Sequence, residues 1–167
     1  MIRSNITTDI EESLQYLDKE FDFPNHYSIG ISMGANRITK YAGLTKSKCR
    51  FKAMVPIACP FDLCDVVEGL IQPGNDLCNF GLTNGVQNLV MNNYAFLKKH
   101  EKDIGLNIDI DECLKKVKIN EMQAKFTIPI NGFKSRQNFE NDQSCYYVIK
   151  DIKIPTLFIH SLDDPVC

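Results

Sequence analysis

Residues 27 to 36 read YSIGISMGAN, an apolar approach, a serine between two glycines spaced Gly-x-Ser-x-Gly, and a polar run behind it. No other stretch narrows the choice of fold as much. His26 to Ile31 predicts a short buried strand, Gly30 to Gly34 a tight turn, and Ala35 to about Ala42 a helix closed by Gly43. A strand that runs straight into a helix needs a sharp turn whose tip sits in strained φ/ψ, crowded by neighbouring backbone. Gly30 and Gly34 answer that crowding. Ser32 at the tip is then a candidate nucleophile, and the amide of Met33, at a helix N-terminus, a candidate oxyanion donor. The alternative is a structural Gly/Ser turn.

The rest of the chain supplies a matching frame. Thr8 to Glu11 has capping-box spacing, and Ile10, Leu14, Leu17 and Phe21 follow at helical intervals, so a helix is expected over about residues 8 to 20. FKAMVPIA, residues 51 to 58, and IPTLFIH, residues 154 to 160, read as further apolar strands. Long crossovers between like strands imply a parallel sheet and an α/β class. Between the last two lie about 90 residues, far more than a plain crossover needs. Helical patterns are expected near Gly85 to Lys102 and Asp111 to Val117, with loops around Gln72 to Asn79 and Asn131 to Asp142. This organisation suggests one domain, with an elbow region over 1–59, a cap or lid insertion over 60–150 and a terminal strand and loop over 151–167. Phe80, Leu82, Val86, Leu89, Val90 and Met91 are expected to pack the insertion rather than line an acyl pocket.

Composition excludes several function classes. A net charge of −2 and a pI near 5.9 give no polyanion-binding footprint, so nucleic acid is not an expected partner. The apolar runs Ala53 to Cys59 and Ile154 to Ile159 are too short to span a bilayer, and the first residues carry no signal-like apolar region. Seven cysteines at irregular spacing, with no C-x-x-C pair, argue against a zinc site and for a reducing compartment. No metal is expected, and the cytosol is the expected location.

HSLDDPVC places two aspartates just beyond the third strand, at the sheet edge where function concentrates in open α/β folds. Asp164, immediately before Pro165, is the preferred acid over Asp163; the alternative is a solvated turn. The histidines are His26, His100 and His160, and none fits a general base comfortably. His26 stands at the amino end of its strand, His100 lies among lysines, and packing is the preferred reading for His160.

Taken together, TTDIEESLQYLDKEF, YSIGISMGANRITKYAG, PIACPFDL, TIPINGF and IPTLFIHSLDDPV resemble the YheT-like, embryogenesis-associated branch of the α/β-hydrolase superfamily. The resemblance implies a partial α/β-hydrolase fold, in which parallel strands with flanking helices carry a helical cap. It implies a serine esterase or lipase without cofactor, acting on small ester or lipid substrates such as acylglycerols or phospholipids. Ser32 would be the nucleophile, Asp164 the acid of the triad and Met33 one oxyanion amide. Chain order in this fold runs Ser, Asp, His, so the base would follow Asp164. Family members also have upstream strands with an HG-type loop, a downstream histidine and often an N-terminal membrane anchor. These segments are not in this sequence, so the expectation is a partial enzyme domain, cytoplasmic or membrane-associated, or a degenerate copy with a binding role.

Overall fold

The structure is a computed structural model that describes residues 6–101 and 108–167. The chain divides into two compact units, one built on Asn5–Leu63 with Gln143–Pro165 and Cys167, the other on Cys64–Asp142.

The first unit holds the sheet. It runs α1 (Ile6–Glu20), β1 (His26–Ile31), α2 (Met33–Thr45) and β2 (Phe51–Ile57), and resumes with a 3-10 segment at Tyr146–Asp151. β1 and β2 are parallel, with Ser28 opposite Met54 and Ile31 opposite Ile57. The expected third strand is less regular. It meets β2 through isolated parallel bridges, Met54 with Thr156 and Ile57 with Ile159. Backbone bonds from Met54 N to Pro155 O and from Ile159 N to Pro56 O hold it there.

Apolar spacing explains the packing. Leu14 of α1 and Ile38, Tyr41 and Ala42 of α2 recur on helical faces and bury against Phe51 and Met54. α1 begins at Ile6, so Thr8 lies inside it rather than capping it. α2 starts at Met33, not Ala35, and Gly43 does not close it. A Cβ at Gly43 would clash with Val148 O, so the glycine lets the 3-10 segment approach; the helix ends two residues later, at Thr45, and is capped by Lys46 with φ 53.

β1 is not buried on both faces as expected. Its burial alternates, leaving Tyr27, Ile29 and Ile31 exposed while the opposite face meets the helices. The helices α1 and α2 pack with the sheet, and no described layer covers the other side.

A polar network joins α1 to α2 and β2. Tyr41 donates its hydroxyl to Glu11 at 2.8 Å, and Arg50 bonds both Glu11 and Asp18. The Tyr41 hydroxyl holds the Glu11 carboxyl below its ordinary range, helped by Arg50 and opposed by burial. A depressed carboxylate stabilises the fold above its unfolded pKa and stops doing so as pH falls through the folded value. Glu11→Gln is therefore expected to lower the urea midpoint at pH 7. The difference from the parent should shrink below the ordinary value of 4.5; a gap unchanged in acid would show that packing, not charge, is responsible.

The second unit is helical: α3 (Leu63–Leu70), α4 (Asp76–Asn92), α5 (Tyr94–His100), α6 (Ile110–Leu114), α7 (Ile119–Met122), α8 (Ile128–Ile130) and α9 (Arg136–Gln143), of which the end residues Leu63 and Gln143 belong to the first unit. A π-helical stretch, Gln123–Thr127, links α7 to α8. The core joins Val90, Leu97, Ile108, Ile110, Cys113, Met122, Phe126 and Ile130. Asn79, on α4, accepts from Ile119 N at 2.8 Å and donates to Leu70 O at 3.0 Å. Two expected loops are corrected. Asp76 already opens α4, and α9 occupies most of the loop expected over 131–142. The helix expected over 85–102 begins earlier and breaks at Asn93. Of the six apolar residues expected to pack this unit, Val90 is buried and Val86 partly so, whereas Phe80, Leu82, Leu89 and Met91 are exposed.

Candidate active site

Ser32 is the single residue between β1 and α2. Its N–H continues the sheet ladder to Ile57 O at 2.9 Å, and its carbonyl accepts the first α2 bond from Asn36 N at 3.1 Å. One residue therefore serves both structures. The bend this demands puts Ser32 at φ 52 and ψ −123, a region that L-residues sparsely populate, with the side chain exposed. Met33 follows as the first residue of α2, where helical amides have no carbonyl partner within the helix.

The two glycines are not equivalent, contrary to expectation. A Cβ at Gly30 would stand 2.6 Å from Gly34 O and 2.7 Å from Ala35 N, because the helix turns back over the strand. At Gly34 a Cβ would meet nothing within 4 Å.

Asp164 is half-buried and accepts the backbone N–H of Cys167 at 3.0 Å. The Ser32 hydroxyl hydrogen-bonds the Cys167 side chain. Cys167 thus touches both residues and ties them to one locality. Asp163 is exposed and engaged by the Ser161 hydroxyl, which holds its carboxyl below the ordinary range. Burial and the neighbouring Asp164 charge push the Cys167 thiol up to about 11, and the Ser32 bond opposes them. Alkylation of Cys167 by iodoacetamide should therefore be slow at pH 8 and accelerate toward pH 11. Ser32→Ala removes the one opposing influence, so the rate profile should move to still higher pH; an unmoved profile would disprove the contact.

His160 has its own task. Its Nε2 accepts the backbone N–H of Cys59 at 3.1 Å, and its ring stacks on Phe61 with centroids 5.1 Å apart. That bond occupies the nitrogen and leaves the proton on Nδ1. His26 pairs with Asp18 at 2.6 Å, at the amino end of β1. His100 bonds Phe96 O from its own helix. Among the described residues no group of three or more His, Cys, Asp or Glu could hold a metal, and no helix is long and apolar enough to cross a membrane.

Sequence reasoning missed Asn36 and Cys167. Asn36 is fully buried one turn beyond Ser32, and its Nδ2 donates to Pro60 O at 2.8 Å, anchoring the loop after β2 to α2. The polar side chain on an apolar face was the available signal. Nothing in its spacing marks Cys167.

Residues 3–111, well over half of the chain, match the family described as alpha/beta hydrolase of unknown function (DUF915). The chain belongs to this alpha/beta-hydrolase family. The observed parallel strands with flanking helices agree with a partial alpha/beta-hydrolase fold. The hydrolase chain is 26% identical over 165 residues to a monoacylglycerol lipase of Saccharomyces cerevisiae, covering 96% of itself and 36% of the relative. It is 26% identical over 159 residues to phospholipase ABHD3 of Bos taurus, at 95% and 37% coverage. Embryogenesis-associated protein EMB8 of Picea glauca is 22% identical over 167 residues, at 98% and 35%. The hydrolase chain thus spans little more than a third of the length of these relatives. No solved structure matches it.

Proposed function

We propose that this hydrolase chain carries the nucleophile and acid of a serine-dependent carboxylic ester hydrolase. The observation behind the reading is the backbone of Ser32, exposed at the one-residue junction of β1 and α2 with φ 52. A hydroxyl so placed stands clear of both elements and can approach an acyl carbon. Attack forms a tetrahedral oxyanion, which the Met33 amide stabilises; collapse expels the alcohol and leaves an acyl-serine that water cleaves. Asp164 is the acid, supported by its shared contact with Ser32 through Cys167. The base is an imidazole from outside residues 1–167, since His160 is committed to Cys59. Names among the relatives, monoacylglycerol lipase and phospholipase, favour acylglycerol or phospholipid esters as substrates. The likeness to EMB8 favours the embryogenesis-associated branch.

A fluorophosphonate probe tests the reading in a chain completed to the length of its relatives. Peptide mapping should place the adduct on Ser32, and the same protein should hydrolyse a p-nitrophenyl ester and a monoacylglycerol. Labelling elsewhere, or labelling that survives Ser32→Ala, would sink the assignment. A second reading, a non-catalytic hydrolase-like module with a binding role, draws on the engaged ring of His160 and the Cys167 thiol at Ser32. It expects no labelling at all.

A further inference from the structure

We propose that Cys59 and Cys145 form an oxidation site, at which a hydroperoxide joins them in a disulfide that fastens the loop after β2 to the segment behind α2. Their sulfurs lie 3.7 Å apart, in a fully buried pocket of the sheet-bearing unit beside Ala35, Phe61 and Phe158. A disulfide needs about 2.05 Å between sulfurs, a closure on the scale of side-chain adjustment. The backbone holds both residues in place. Cys59 N is bonded to His160 Nε2 at 3.1 Å, and Cys145 N and Tyr146 N both donate to Phe61 O at 3.0 Å. Cys145 is thereby tied to the short loop that carries Cys59, and Cys59 to His160, so the thiols cannot drift far apart without breaking these bonds.

Two cysteines in an apolar core can be no more than small hydrophobes. Here the thiols are differentiated. The Cys145 S–H and the Thr39 hydroxyl, 3.9 Å from the Cys59 sulfur, favour the Cys59 thiolate against the cost of burial. Either thiol can donate across the 3.7 Å contact, and the bond to Cys59 together with burial pushes the Cys145 thiol up. Cys59 is therefore the sulfur that reacts first. Its thiolate displaces hydroxide from the peroxide O–O bond and becomes a sulfenic acid. The Cys145 sulfur then attacks the sulfenic sulfur; its proton and the departing oxygen leave as water. Overall, two thiols and one hydrogen peroxide give one disulfide and two waters. Burial makes the reaction depend on opening of the Cys59–Phe61 loop, so sub-denaturing urea should quicken it. Because Pro60 in that loop holds Asn36, oxidation bears directly on the turn that carries Ser32. The inference rests on the thiols alone and stands whether or not Ser32 is a nucleophile.

The test exposes the reduced 167-residue chain to hydrogen peroxide, followed by quenching, denaturation, alkylation and peptide mass mapping. The expected product is a Cys59 peptide joined to a Cys145 peptide, about 2 Da below the sum of the reduced pair and released by dithiothreitol. Cys145→Ala should abolish it, and the cross-linked chain should show a higher urea midpoint than the reduced one. The mapping on the unsubstituted chain decides the matter even if the variant fails to fold. Both thiols alkylating fully after peroxide treatment, separate sulfinic acids, or Cys59 joined to Cys167 would each overturn the proposal.

Discussion

Ser32→Ala, made in a chain completed to the length of the relatives, lowers kcat/KM for a p-nitrophenyl ester by about 10⁴- to 10⁶-fold. The size follows from what is removed: without the hydroxyl no acyl-enzyme forms, and residual turnover comes from binding and the oxyanion site alone. Asp164→Asn should cost less, about 10³- to 10⁴-fold, because the base remains and only its orientation and charge stabilisation are lost. The double variant should be no slower than Ser32→Ala, since these groups act as one unit. Additive losses would mean that Asp164 works outside the serine's pathway. The 167-residue chain alone should hydrolyse the ester very poorly, because His160 already serves Cys59. Strong, Ser32-dependent turnover by that chain would show that His160 can leave Cys59 and act as base.

The second large effect is on stability. Gly30→Ala sets a methyl group 2.6 Å from Gly34 O, and the obstacle is backbone on both sides, not the end of a flexible side chain. Strand and helix must separate, at an expected cost of about 3 kcal/mol, the upper end of ordinary overpacking. Gly34→Ala meets nothing within 4 Å and sits in α2, so it should be neutral or stabilise by up to about 1 kcal/mol through reduced backbone freedom in the unfolded chain. Urea melts of the two variants give the comparison. Equal losses would mean that the elbow is not packed as described.

What the sequence revealed, and what it concealed, follows from how each element is stabilised. β1 was legible to the residue, and a turn centred on Ser32 was legible but not its bounds, because an apolar run, two glycines and a polar helix are local signals while α2 takes Met33 and Gly34 into its first turn. α9 was hidden for the opposite reason. RQNFENDQ has one buried apolar residue, Phe139, and its other buried side chains are polar: Glu140 is bonded to Arg136, and Gln143 to Arg37. A helix held by polar partners carries little hydrophobic period, and Arg37 lies 106 residues away in sequence. The amino end of α4 was obscured by its asparagines and glycines, which read as loop until Asn79 is seen bonding Leu70 and Ile119. At the candidate site, the separate roles of Gly30 and Gly34 depend on how tightly the helix folds back, a distance no motif encodes.

The two neighbouring strands leave the sheet through non-glycine residues at positive φ, Ser32 at 52° after β1 and Ala58 at 47° after β2. Unfolded chains rarely visit that conformation outside glycine, so neither turn can act as a nucleation point. Each must form after its neighbours, α2 for Ser32 and the Ile159 segment for Ala58, are close enough to hold it, which places both late on the folding route. In kinetic terms, relaxing one of them with Ala58→Gly should leave the folding rate nearly unchanged and appear in the unfolding rate. The rim on which Ser32 sits would then be the last part of the sheet-bearing unit to set.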